Sequence, residues 1–147
     1  MPAPAWLRET FANAMIQVHL IAGLKSTFPE KAFEYSSPPK PVASLPSPCE
    51  ALGRLEISDD GYEATVCLTG VTYGHFGCYD DQLSEAQKEA EISSDVISFL
   101  QALFADRVVI WRFAGGLAGG WRVLQSGEQL PKPSHLREEY VWSRALK

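Results

Sequence analysis

Apolar residues recur along the first stretch of the chain at three- and four-residue steps: Leu7, Phe11, Ala14, Met15, Val18, Ile21 and Ala22. That spacing is one face of an α-helix, so a helix is expected from Ala5 to Leu24, with Gly23 as its stop and Lys25 suiting the negative end of its dipole. The pattern is then lost. Between residues 26 and 52 stand Pro29, Pro38, Pro39, Pro41, Pro46 and Pro48, each lacking a backbone donor and each biasing its predecessor to extended geometry. A proline-rich strap without regular elements is expected there, crossing the surface of a single domain and anchored by Phe28, Phe33 and Tyr35.

From Arg54 the apolar period changes to two. Strands are expected at Arg54–Asp59 and Tyr62–Thr69 about a two-residue Asp60-Gly61 turn. In that register Ile57 faces Ala64 and Leu55 faces Val66 on an apolar side, while Glu56, Ser58, Glu63, Thr65 and Cys67 share the other. Ser84-Glu85-Ala86-Gln87 has the form of a capping box. A second helix should start there and run through Ile92, Val96, Phe99, Leu100 and Leu103 to about Phe104, with Asp106 at its exit. Val108–Phe113 and Trp121–Leu124 are rich in β-branched and aromatic residues and suit a second hairpin. Centred on Leu117, it sets Phe113 opposite Trp121, Trp111 opposite Val123 and Arg112 opposite Arg122. Residues 125–135 read as loop. The tail, 136–146, alternates as a strand around Tyr140, Val141 and Trp142, although Ser134 suits a helix cap; strand is the preferred reading. The fold class expected is α+β, an antiparallel sheet of about 4–5 strands built from two hairpins, with the N-terminal and central helices packed on one face.

Composition removes some classes. The 147 residues are 46% hydrophobic and 21% charged, an ordinary globular balance that disfavours disorder, collagen-like repetition and a disulfide scaffold. A net charge of −5 repels nucleic acid unless cations cluster. The acids do cluster: residues 51–100 hold two basic and ten acidic residues, a net −8, whereas residues 101–147 are at +3. Cys49, Cys67 and Cys78 leave one thiol unpaired, which suits a cytoplasmic protein. Residues 1–9 carry no charged leader before an apolar run, and Thr10, Asn13, Gln17 and His19 interrupt the most apolar region, so neither export nor a membrane span is expected.

Few motifs carry chemistry. Residues 114–120 are rich in glycine, as phosphate loops are, but Trp121-Arg122-Val123 follows as a strand where such a loop needs a helix. Facing Arg112 and Arg122 would repel unless a neighbouring carboxylate or solvent relieves them, or an anionic ligand or a partner's acidic patch binds between them. The densest reactive cluster is Tyr73-Gly74-His75-Phe76-Gly77-Cys78-Tyr79-Asp80-Asp81, placed between a strand and a helix where binding loops often lie. His75 and Cys78 with Cys67 or Asp80 are zinc-ligating types, yet no second ligand pair accompanies them, and no metal is expected. Cys78, His75 and Asp80 hold the types of a thiol nucleophile, a base and an orienting acid. Packed aromatics with solvated acids suited to protein contact are the commoner reading. His19 and His135 read as structural, as do Trp6, Trp111, Trp121 and Trp142, with Trp111 and Trp121 on one face of their hairpin.

Three function classes remain. An enzyme would rest on Cys78, His75 and Asp80, and a nucleic-acid binder on Arg112, Arg122, Arg137 and Arg144 against an acidic background. An interaction protein would use the acidic segment and its aromatic loop. In size, acidity, cytosolic character and absence of a catalytic motif the chain resembles the small α+β immunity proteins with which bacteria neutralise toxins. The likeness is one of type and carries over no functional residue. The expectation is a non-enzymatic module without cofactor that binds a basic protein partner through Tyr73, His75, Phe76, Tyr79, Asp80, Asp81 and Glu85. The alternative is a small-molecule binder or enzyme using the Tyr73–Asp81 loop.

Overall fold

A computed structural model describes residues 5–113, 119–132 and 135–147, with side chains from Ile16 onward in the first helix. Most of the glycine-rich connection (114–118), Ser134, and the side chains of Trp6, Leu7, Phe11, Ala14 and Met15 lie outside the described residues. Helix α1 spans Ala5–Thr27 and helix α2 Glu85–Phe104. Strands β1 (Glu34–Tyr35), β2 (Ala43–Pro46), β3 (Arg54–Asp59), β4 (Glu63–Leu68) and β5 (Thr72–Gly77) form one antiparallel sheet in that order. Strands β6 (Val108–Phe113), β7 (Gly119–Val123), β8 (Arg137–Val141) and β9 (Arg144–Leu146) form a second, in the order β7-β6-β8-β9. The class is α+β, as expected, but with two sheets instead of one. Among the described residues no helix is long and apolar enough to cross a membrane.

From Ile16 onward the first helix buries a row other than the Val18 and Ala22 positions that the spacing singles out. Ile16, Leu20 and Leu24 are the residues inside, while Val18 is 61% exposed and Ala22 faces solvent. α1 is apolar nearly all round, so packing against α2 selects the face, and the four-residue row of large aliphatic side chains wins. Gly23 does not stop the helix. A Cβ there would lie 3.2 Å from Ile97, so its bareness lets the two helices approach; the helix ends at Thr27, just before Pro29.

The proline-rich stretch is not free of regular structure. β1 and β2 both fall within it, as does a 3₁₀ turn at Glu50–Leu52. Ala43 and Leu45 of β2 point into the core opposite Ile57 and Leu55, and Pro46 lies beyond the residues that β1 pairs with, where β2 is an edge and tolerates a proline.

In the β3–β4 hairpin the register is two residues from that expected: Ile57 faces Val66 and Leu55 faces Leu68. The inner turn residues are Gly61 and Tyr62, with Gly61 at φ 91°, and the Asp60 N–H donates to the Glu63 carbonyl at 2.9 Å. Glycine first is what a type II′ hairpin uses. Because side chains alternate with period two, a shift of two leaves every residue on its expected face. Gly61→Val is expected to lower stability by about 1–2 kcal/mol, the penalty of a left-handed L-residue; an unchanged urea midpoint would contradict the turn.

The second hairpin differs by an odd number, and its faces therefore change. Ile110 pairs with Trp121, Trp111 with Gly120 and Arg112 with Gly119. Arg112 and Arg122 stand on opposite faces, as do Trp111 and Trp121, so the expected like-charge pair does not form. Trp121 turns inward, 4.8 Å from the Phe99 ring and stacked on Phe76 at 6.3 Å, while Trp111 takes the Arg137 guanidinium over its ring at 4.3 Å. The tail is strand on both sides of a tight turn. Asp106, at φ 58° where α2 ends, ties that turn down by accepting from the Ser143 N–H at 3.1 Å and its hydroxyl at 2.5 Å.

The core runs between these layers, with Leu20, Leu24, Leu55, Ile57, Val96, Leu100, Leu103, Val108 and Ile110 fully enclosed. α2 lies against β4, β5 and β7, so it bridges both sheets.

Candidate functional site: an acidic cleft beside the second helix

The Tyr73–Asp81 cluster is only partly a loop. Tyr73, His75 and Phe76 lie on β5, an edge strand, and alternation splits them. Tyr73 and His75 face outward, their rings 5.4 Å apart, with Cys67 and Thr65 as cross-strand neighbours. Phe76 faces inward onto Phe99 and Trp121. Thr65 donates its hydroxyl proton to Asp60, so its oxygen accepts from His75 Nδ1 at 3.0 Å. That leaves His75 Nε2 as the ring's outer nitrogen.

Beyond Gly77 the chain turns through residues 78–83 to the Ser84 cap. Asp80 accepts from the Gln82 N–H at 2.9 Å. The capping box forms as the sequence predicts: the Gln87 N–H donates to Ser84 Oγ at 3.2 Å and the Ser84 N–H to Gln87 Oε1 at 2.8 Å. This cap fixes where α2 begins and hence where Glu85 and Glu89 stand. Between the connection, the β3–β4 turn and the facing side of α1 lies a cleft of about 340 Å³. Tyr62, Tyr79, Asp81 and Glu85 stand at its rim, and Ile16, Ile92 and Glu89 are the buried residues of its wall. Tyr62 is 82% and Tyr79 73% exposed. The Tyr79 hydroxyl donates to the Glu63 carboxylate.

Glu89 is the unusual member. It is 5% exposed, and its Oε2 has no hydrogen-bond partner among the described residues. Burial pushes its carboxyl above the ordinary range; nearby His19 opposes this, and Glu85 and Asp59 add to it. Asp59 is raised too, chiefly by burial, although the N–H groups of Gly61 and Gln17, at 2.8 and 3.1 Å, offset part of it. Lys88 lines the cleft as well, but its ammonium pairs with Glu85 at 3.7 Å. Sequence reasoning passed over Glu89, Tyr62 and Glu63. Glu89 was the legible one: with Ile92, Val96, Phe99 and Leu103 it occupies the inward row of α2, where a carboxylate is out of place.

The thiol, base and acid of the enzymatic reading are not brought together. Cys78 Sγ lies 3.6 Å from Glu91 Oε2, His75 bonds Thr65, and Asp80 holds its own turn. All three cysteines are free, and burial, then the charge of Glu56, pushes the Cys67 thiol up. Among the described residues no three His, Cys, Asp or Glu side chains group closely enough to hold a metal ion. Arg112 and Arg122 are each engaged by a carboxylate: Arg112 bonds Glu138 at 2.7 Å and Arg122 bonds Glu128 at 2.7 Å. The Arg122 guanidinium, then the Gln125 N–H, hold Glu128 down to about 2. This link should therefore persist above the carboxyl's ordinary value and be lost as pH falls through about 2. Glu128→Gln should mimic the acid form at neutral pH and speed amide exchange at Gln125, whose N–H Glu128 accepts.

No protein-family model, curated protein or solved structure matches this chain. The geometry of the site is therefore what any functional reading rests on.

Proposed function

We propose that the protein is a non-enzymatic binding module that takes a basic protein partner on this acidic end, in the manner of small acidic immunity proteins that neutralise a toxin or effector. What supports the reading is one conjunction: the exposed rings of Tyr62 and Tyr79 stand with the carboxylates of Asp81 and Glu85 around a single cleft. Aromatic side chains supply buried contact area at an interface, and carboxylates steer a cationic partner toward it. Exposed Asp80 extends the charged rim. Tyr73 and His75, on the outer face of β5, offer a second contact area, whereas Phe76 is engaged in the core. A cysteine-based enzyme is the weaker reading, since Cys78 and His75 are bonded to different partners.

Affinity capture from the source organism, with the wild-type protein as bait and the Asp80→Lys/Asp81→Lys double variant as control, tests the proposal. A basic protein retained by the first and lost by the second is expected. With that partner purified, the double variant should slow association and weaken its salt dependence. Tyr79→Ala should mainly speed dissociation, by about 30-fold for an anchor worth ~2 kcal/mol. Binding kinetics indifferent to the double Lys change would remove this end of the molecule as the contact.

A further inference from the structure

We propose that the cleft receives the guanidinium group of an arginine side chain presented by the protein partner, with the buried Glu89 carboxylate as counter-ion and the Tyr62 and Tyr79 rings against it. The inference deepens the proposed function and rests on it for the source of the arginine; the site itself stands on separate observations.

The first is the unpaired acceptor. Glu89 lines the cleft at 5% exposure with one carboxylate oxygen unpartnered among the described residues, and an unpaired buried acceptor is rare because its desolvation goes uncompensated. A hydrogen-bond donor entering the cleft would complete it. The second is the sign of the surroundings. Asp81 and Glu85 add negative charge at the rim, and Lys88, the one basic side chain lining the cleft among the described residues, reaches Glu85 and forms no ion pair with Glu89. The third is shape. A cleft of about 340 Å³ far exceeds the ~30 Å³ share of one water, which leaves room for a long side chain. Its mouth is flanked by two exposed phenol rings. A planar, weakly hydrated cation with several donors stacks on such rings and forks onto carboxylates, which favours arginine over the compact, strongly hydrated lysine ammonium. A divalent metal is disfavoured by the absence of a three-ligand group among the described residues.

The probe is N-acetyl-arginine methylamide, whose only charge is the guanidinium, with N-acetyl-citrulline methylamide as its neutral counterpart. Each is titrated into the full-length protein, followed by the ¹³C resonance of the Glu89 carboxyl and the ring signals of Tyr62 and Tyr79. Saturable shifts at all three with the arginine compound, and none with the citrulline compound, are expected. Glu89→Gln should weaken binding by roughly tenfold or more, the loss of a charge-assisted bond. Asp95→Asn, an exposed carboxylate on α2 that does not line the cleft, should leave it unchanged. Shifts that never saturate, an equal response to citrulline, or unaltered affinity in Glu89→Gln would overturn the inference. Should Glu89→Gln fail to fold, the arginine-against-citrulline comparison on the wild-type protein decides alone. Arginine binding through Glu89 without capture of any basic protein would uphold the site while removing its proposed source. A captured basic partner whose affinity ignores Glu89→Gln would do the reverse.

Discussion

Replacing Phe99 by Ala should cost about 3–5 kcal/mol, the range for emptying a buried aromatic site. Phe99 is 8% exposed, and its ring sits 4.8 Å from Trp121 and 5.5 Å from Phe76. These rings come from α2, β7 and β5, so a single side chain holds the helix to both sheets. Little can collapse into the space, because the Trp121 indole already lies over Gly74, where a Cβ would come within 2.8 Å of it. Urea unfolding gives the loss directly. The resonances of residues 78–81, which follow β5 into the cleft, should move in the folded variant. A loss under about 0.5 kcal/mol, within the range of ordinary surface changes, would show that the three rings are not a unit.

Glu89→Gln should act in the opposite direction, raising stability at neutral pH by about 1–3 kcal/mol, because it keeps the shape of the side chain while removing a buried charge whose desolvation is uncompensated. The sign follows from linkage. Burial raises the folded-state pKa of Glu89 above its ordinary 4.5, so the folded chain holds the proton more tightly than the unfolded one. The stabilisation is then present below that value and lost as pH rises through the folded pKa. The groups around it are Glu85 and Asp59, which add to the shift, and His19, which opposes it. Wild type and variant should converge in stability at low pH and separate as pH rises, in equilibrium melts taken across the range. A variant less stable than wild type at neutral pH would mean that Oε2 has a favourable partner. Combined with weaker arginine binding, a gain in stability would mark Glu89 as a residue kept for function at the expense of the fold.

Local signals survived folding. The Ser84/Gln87 capping box, the inward row of α2 and the faces of β3 and β4 depend on neighbours a few residues apart, and each is found where the sequence predicts it, while Gly61 makes the β3–β4 turn from the first inner position instead of the second. The cluster at 73–81 was legible as a place of reactive side chains but not as an arrangement. Alternation along β5 sends Phe76 inward and His75 outward, and residue types alone do not state which face is covered.

What the sequence by itself determined was therefore the identity and order of most elements, the α+β class and the concentration of acid in residues 51–100. Tertiary structure decided which stripe of α1 is buried, because that helix is apolar on more than one side and only α2 distinguishes Ile16, Leu20 and Leu24 from Val18. It decided the pairing of Arg112, since a loop with no firm turn residue leaves register to be set by packing, and an odd shift exchanges the faces. It drew β1 and β2 out of a proline-rich stretch by giving their free backbone groups a sheet to join. Above all it made the cleft. Glu89, Tyr62 and Tyr79 belong to three segments that meet only when α2, the β3–β4 turn and the exit of β5 are brought to one end of the molecule. The inward row of α2 already places Glu89 inside, but that its Oε2 has no hydrogen-bond partner among the described residues is a property of that meeting.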